Sequence, residues 1–231
     1  MIVLGIDVET TGLDPNKDKI IEIGCKLYDF KKQMSLGELS FIVDPMEEYI
    51  IQPEAERLHG ISKEIIDTYA VDYSDTWNIV AEMARKADAL MAHNAPFDRG
   101  FLEKISPVFN DKPWINTMVD IPYPPEITTR KLTYIAADHG IVNPNAHRAL
   151  DDVNTMIQVA KNYDINTIVK RSNAKTITVR ALVDYDNKDK AKEAKFHWDG
   201  NNKRWIKDIK DFELEDLKKS VEFKIREVKE K

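Results

Sequence analysis

The chain opens with an apolar run, residues 2–7, closed by Asp7, and this pattern predicts a buried strand. Thr11-Gly12-Leu13-Asp14-Pro15 reads as the turn that follows it. Residues 20–30, with Ile20, Ile21, Ile23, Cys25, Leu27 and Phe30, predict a long second strand, and residues 36–43 a third, completing a meander. The period then changes. One helix is expected from Ser62 to about Asp67 and a longer one from Ser74 to Lys86, with Trp77, Val80, Ala81 and Ala84 along one face. Ala89–Ala92 is a short strand. Pro96 suits the first turn of the next helix, with Asn94 or Ala95 just outside it. Residues 114–119 read as the last strand of the sheet. A helix near Lys131–His139 stops at Gly140, where His139 acts as a C-terminal cap, and a final helix covers about Ala149–Tyr163.

Ile121-Pro122-Tyr123-Pro124-Pro125 is a stiff connector that fits no helix interior. The polar stretch Lys170–Lys175 marks a boundary, giving a body of residues 1–170 and a small α+β module of residues 175–231. The module reads as a strand at Ile177–Val183, a helix at Lys188–Lys195, a strand at Arg204–Ile209, a helix at Glu213–Ser220 and a strand at Val221–Val228. Charge follows the same division. The body holds 17 basic and 27 acidic residues, net −10, and residues 171–231 hold 17 and 13, net +4. An acidic body suits carboxylates that hold cations, and a basic module suits a polyanion. The longest apolar runs are far too short to span a membrane, and the N-terminus lacks the features of a signal peptide. Cys25 is the single cysteine and sits in an apolar run. These features predict a cytoplasmic protein without disulfides or membrane contact.

Asp7 and Glu9 stand two apart at a strand end, so their side chains share a face. Alone, such a pair is an ordinary solvated strand end. Asp98 falls in the first turn of a helix, and Asp152 lies five residues after His147. Five helical residues turn through about 500°, so His147 belongs on the loop before the helix that carries Asp152. Divalent cations such as Mg²⁺ favour oxygen ligands, and an imidazole can take a proton from water near neutral pH. Four carboxylates and one imidazole are a sufficient set for phosphodiester hydrolysis.

Ile6-Asp7-Val8-Glu9-Thr10-Thr11-Gly12-Leu13, His93-Asn94-Ala95-Pro96-Phe97-Asp98 and His147-Arg148-Ala149-Leu150-Asp151-Asp152 resemble, in order and spacing, the three motifs of the DEDDh 3′–5′ exonucleases. The resemblance covers about residues 1–165 and is nearest to the exonuclease X and proofreading epsilon-type members. It implies an α/β, ribonuclease H-like fold: a mixed five-stranded sheet flanked by helices. It implies that Asp7, Glu9, Asp98 and Asp152 hold two divalent cations, Mg²⁺ or Mn²⁺, and that His147 is the general base. The tyrosine-bearing sister family has Tyr where this chain has Arg148. Asp151 is one residue too close to His147 and reads as a solvated first-turn acid. By the same resemblance Thr10 and Thr11 contact the terminal nucleotide, His59 and Asn94 lie near its base or sugar, and Phe97 lines the cleft. His93 reads as structural. The Pro-rich connector departs from the family pattern and leaves substrate choice open.

The implied partner is a single-stranded DNA or RNA 3′ end, with DNA favoured. An exoribonuclease, a polymerase-associated proofreading subunit with a replication partner, and a non-catalytic binding module are the competing readings. Oligomeric state is not fixed by the sequence. In the module, Ala191-Lys192 to Trp198-Asp199 and Lys203-Arg204-Trp205 resemble a small strand-helix-strand unit attached to nucleic-acid enzymes of phages and plasmids. At least two of Phe196, Trp198 and Trp205 are expected in its core. Arg180, Lys203, Arg204 and the lysines of residues 188–195 are expected to form a phosphate-tracking surface.

Overall fold

In a computed structural model, which describes residues 1–228, the meander forms from β1 (Ile2–Thr10), β2 (Ile20–Asp29) and β3 (Met34–Ile42), paired antiparallel. Then come α1 (Pro53–His59), α2 (Lys63–Tyr69), α3 (Tyr73–Lys86), β4 (Ala89–Ala92), α4 (Ala95–Leu102), α5 (Val108–Asp111), β5 (Trp114–Asn116), α6 (Thr117–Asp120), α7 (Leu132–Asp138), α8 (Ala149–Ala160) and α9 (Ile165–Asn173). The sheet order is β3-β2-β1-β4-β5, with β4 parallel to β1 and β5 parallel to β4. This is the expected ribonuclease H-like arrangement. β1 is central and buried on both faces, which is why its sequence is a continuous apolar run.

Each face of the sheet has its own core. Leu4, Ile6, Val8, Ile23, Cys25 and Leu90 pack with Trp77, Val80 and Ala84 of α3 and with Phe101, Leu102 and Phe109. On the other face Val3, Tyr28, Met91 and Ile115 pack with Ile135, Val153, Met156 and Ile157 of α7 and α8. The Cys25 thiol is fully buried, and burial pushes its pKa up to about 12, so it behaves as a small hydrophobe.

Several local expectations change. The strand over 114–119 stops at Asn116, because the Asn116 side chain accepts the Met118 N–H (3.1 Å) and Asp120 accepts the Asn116 N–H (2.8 Å), starting a one-turn helix. Periodicity does not predict α1. Pro53 at its first turn and Gly60 in the left-handed region (φ 72°) nevertheless delimit it. α9 occupies the stretch leading into the polar boundary, with Asp164 accepting the Thr167 N–H and Ile168 buried.

The chain divides into two compact units, Met1–Ser172 and the residues from Asn173 on. The second contains β6 (Thr176–Leu182), α10 (Lys188–Glu193), β7 (His197–Asp199), β8 (Arg204–Lys210), α11 (Leu214–Ser220) and β9 (Lys224–Glu227), in an antiparallel sheet of order β7-β8-β6-β9. The sequence pattern does not predict β7. Residues 229–231 of the expected module lie outside the described residues. Among the described residues no helix is long and apolar enough to cross a membrane.

Candidate active site

Asp7 and Glu9 leave β1 on the face opposite the buried Ile6 and Val8. Across the strand pair Gly24 faces Asp7 and Glu22 faces Glu9, and the register shifts at Glu9/Thr10, a bulge at the end of the strand. α8 crosses this face at close range. A Cβ added to Gly24 would stand 2.2 Å from the Leu150 nitrogen and 2.4 Å from the Ala149 carbonyl carbon, and one added to Gly5 would stand 2.9 Å from Ile157 Cδ1. Two residues without side chains therefore let the helix approach the sheet, and Asp152, in its first turn, reaches the Asp7–Glu9 pair.

Asp98 comes from α4. Asn94, with φ 74°, makes the sharp turn between β4 and that helix, and Asp98 Oδ1 accepts the Val8 N–H at 3.2 Å, tying the helix to β1. His147 stands on the loop before α8, exposed and with φ 64°. Its backbone N–H donates to Asp152 Oδ2 at 3.2 Å, while the Asn143 amide donates to Oδ1. Ligand atoms of Glu9, His147 and Asp152 all lie within 4.8 Å of one another. The five residues expected at the centre thus come from three distant segments to one place.

The electrostatics are those of an anion cluster. Burial, then Asp98, Glu9 and Asp152, raise the Asp7 carboxyl well above its ordinary range. Burial and the neighbouring Glu22 raise Glu9 to about 9, burial raises Asp98 to about 8, and burial raises Asp152. The cation beside the cluster is already engaged. Arg148 grips the buried Glu22 carboxylate through Nε (3.1 and 3.2 Å) and a terminal nitrogen (2.7 Å), and Glu22 also accepts the Ala149 N–H at 3.2 Å. The remaining carboxylates match hard divalent cations, with oxygen donors plus one imidazole. Sequence reasoning missed Glu22 and Asn143. Glu22 sits inside an apolar run, and its importance depends on strand register.

The cluster floors a cleft of about 800 Å³. Leu13, Ala55, Leu58, Phe97 and Met118 form its apolar wall, and Arg130 and Lys131 line it as well. Leu13, the last residue of the first motif, and Leu58 are 83% and 55% exposed, unusual for leucines in a folded wall. Thr10, His59 and Phe97 line the cleft. His59 does so with both ring nitrogens engaged. Nδ1 accepts the Ile61 N–H (3.0 Å), so the proton is on Nε2, facing the Thr10 carbonyl at 3.3 Å, and burial lowers its pKa. The Thr10 hydroxyl is likewise occupied, donating to the Gly12 carbonyl at 2.6 Å.

Thr11 and Asn94, expected beside the terminal nucleotide, are not among the residues that line the cleft. Thr11 is 1% exposed; its hydroxyl accepts the Lys19 N–H (2.9 Å) and meets Asp18, closing the turn after β1. Asn94 serves the backbone turn described above. Asp151 also stays out of the cleft, contacting Asn145 at 3.3 Å. His93 lines the cleft too, with both ring nitrogens engaged: the Thr117 hydroxyl meets Nδ1 (2.9 Å) and the Arg130 carbonyl meets Nε2 (2.7 Å). His139 caps α7, with Nδ1 on the Ile135 carbonyl (2.6 Å) and Nε2 on the Tyr163 hydroxyl (2.7 Å).

Residues 4–160 match the family model described as Exonuclease (RNase_T). The chain belongs to this exonuclease family. Among relatives of the family, the chain is 29% identical over 161 residues to a DNA polymerase III PolC-type from Thermotoga petrophila, covering 67% of this chain and 11% of that protein. It is 32% identical over 110 residues to a ribonuclease T from Shewanella oneidensis, covering 43% of this chain and 50% of the relative. The chain therefore spans about a ninth and about half of these relatives. The fold is shared with the solved structure of exonuclease I at a TM-score of 0.61 and 18% identity, covering 73% of this chain and 42% of the other. All three motifs fall within the matched segment.

Proposed function

We propose that the body, residues 1–170, is a 3′–5′ exonuclease that hydrolyses phosphodiester bonds at single-stranded DNA ends and releases nucleoside monophosphates. The observation that carries this reading is the convergence of Asp7, Glu9, Asp98 and Asp152, with carboxyl pKa values all raised, beside the exposed His147 at the floor of one cleft. Crowded carboxylates of this kind are stabilised by cations, and these four would hold two divalent ions, Mg²⁺ or Mn²⁺. Bound there, the ions would supply activated water and charge stabilisation at phosphorus.

The chain's own groups account for the rest. The His147 imidazole stands clear of the helix that carries Asp152, where it can take a proton from the attacking water. The Asp152 carboxylate receives the His147 backbone N–H and so holds the loop in place. The apolar wall of Leu13, Leu58, Phe97 and Met118 suits the flat faces of terminal bases, and Arg130 and Lys131 suit the phosphates behind them. Polarity toward the 3′ end follows from family membership.

Cleavage of RNA ends is the second reading, favoured by the ribonuclease T relative. A proofreading role beside a polymerase follows the PolC-type relative. End-labelled single- and double-stranded DNA and RNA, with matching closed circles, test these together. Mg²⁺-dependent shortening of linear DNA from the 3′ end, abolished by chelator and by Asp7→Asn, is expected. Rapid nicking of circles, or full activity in excess chelator, would overturn the assignment. Faster loss of RNA than of DNA would move the substrate to RNA.

A further inference from the structure

The small unit closes its core without Tyr185 and Trp198. Ile177, Val179, Ala181, Ala191, Phe196 and Ile209 are buried together, with Leu214, Leu217, Phe223 and Ile225 packed on them. Trp205 leans on this core from its edge. Trp198 and Tyr185 stay outside, 51% and 78% exposed. Trp198 pairs with Trp205 across β7 and β8, with ring centroids 5.5 Å apart at 58°.

Lysines interleave with these rings. Lys188 and Lys192 stand at i and i+4 on α10 and so share a face. Lys188 Nζ lies 3.7 Å from the centroid of Tyr185, and Lys192 Nζ lies 5.9 Å from that of Trp205. Tyr185, Lys188, Lys192, Trp205 and Trp198 therefore form one continuous strip. Its hydroxyl end is electropositive: Lys188, followed by Lys192, draws the Tyr185 pKa down. Asp189 opposes the strip, pairing with Lys192 at 2.8 Å.

Ion pairing sorts the other basic residues. Lys190 is held by Glu222 (3.0 Å), and Arg204 by Asp199 (3.1 Å). The half-buried Lys188 and the exposed Lys195 and Lys203 have no carboxylate partner among the described residues. Strand alternation also separates two residues from the strip. Ala181 opposes Trp205 on the core face, so Arg180 and Arg204 belong to the other face of the sheet. The basic residues grouped together in the sequence thus divide between two surfaces.

We propose that this strip binds single-stranded polynucleotide, with bases stacked on Tyr185, Trp198 and Trp205 and phosphates drawn by Lys188 and Lys192. Two exposed rings and one half-buried ring, interleaved with ammonium groups, fit a polymer that alternates flat bases with negative phosphates. An acidic peptide would use the lysines and leave the rings idle. Every base has a flat face, so binding is tolerant of sequence. The small unit supplies this contact whether or not the body cleaves the strand.

Fluorescence anisotropy of the full chain with labelled dT20, in excess chelator, tests the assignment. Stacking is worth roughly 5- to 150-fold in affinity for each base. Tyr185→Ala/Trp198→Ala should therefore weaken dT20 binding at least about 25-fold, with an unchanged circular dichroism spectrum. Lys188→Gln/Lys192→Gln, which leaves the rings in place, should flatten the log–log salt slope by about 0.7 for each phosphate the variant no longer neutralises. Tryptophan fluorescence of the wild type should be quenched by dT20, and less so in Trp198→Phe. A loss of less than fivefold in the aromatic variant would overturn the proposal. So would inorganic polyphosphate or poly-glutamate binding as tightly as dT20, which would make the strip a general anion or protein-docking surface.

Discussion

The pair Glu22–Arg148 gives the sharpest test of how the site is held. Glu22 is 1% exposed and stands opposite Glu9, while the Arg148 side chain is 46% exposed. Arg148→Met removes the charge-assisted hydrogen bonds of the guanidinium and leaves Glu22 with the Ala149 N–H. Stranding a buried charge costs about 3–5 kcal/mol. Water reaches the Arg148 side, so about 2–3 kcal/mol is expected here, or roughly 5–10 °C in Tm for a chain of this size. Glu22→Gln keeps an acceptor for Ala149 and frees a guanidinium that is already half in water, so about 1 kcal/mol is expected. The double variant strands nothing. Its loss should fall short of the sum of the single losses by about 1–3 kcal/mol. Thermal unfolding of the four proteins measures this cycle, and turnover should follow the same order, because the pair fixes the start of the helix that carries Asp152. Additivity within about 0.5 kcal/mol would show that the pair does not anchor the helix.

Three further outcomes are expected. His147→Ala should lower turnover by about 10²–10⁴-fold with little change in KM, measured by single-turnover cleavage; a near wild-type rate would assign the base elsewhere. Asp98 and Glu9 have folded-state pKa values raised to about 8 and 9, so their ionisation opposes folding: the penalty is absent below the ordinary carboxyl range near 4 and grows as pH rises toward 9. In chelator the protein should melt lower at pH 9 than at pH 6, and Mg²⁺ should narrow the gap; a flat Tm in chelator would refute the anion crowding. Gly24→Ala must push α8 off the sheet and should cost about 1–3 kcal/mol and most of the activity, whereas Gly37→Ala, where an added Cβ meets nothing within 4 Å, should leave turnover unchanged.

The sheet was legible because its central strand is apolar on both faces, and the carboxylates were legible because three motifs fix their spacing. Other features depend on pairing that spacing does not carry. Glu22 reads as one polar interruption in Ile20–Cys25 until its register against Glu9 is known. Thr11 resembles a substrate contact by position, but the turn after β1 takes its hydroxyl. α1 escaped because His59 is its one buried residue, leaving no apolar stripe to detect. α9 escaped for a related reason: only Ile168 is buried, and its polar end resembles a linker. In the small unit, Phe196 is buried in the core and Trp205 packs on its edge, while the exposure of Trp198 required the strand β7 that the sequence hid.

The place of β1 in the sheet has a consequence for synthesis. Of the five strands of this sheet, the one made first is the middle one, and its parallel neighbour begins near Ala89. On a ribosome the meander of β1, β2 and β3 can pair early, but one edge of β1 stays open until β4 emerges. The sheet face that carries Asp7 and Glu9 stays bare longer still, until α8 arrives with Asp152. Such distant pairing is slow and leaves unsatisfied strand edges on the nascent chain. The same order delays the hazard of the product. A growing chain that ends before about residue 147 holds three of the carboxylates but neither His147 nor Asp152. On the proposed chemistry, cleavage therefore cannot begin on messenger or template strands near the ribosome until the body is almost complete.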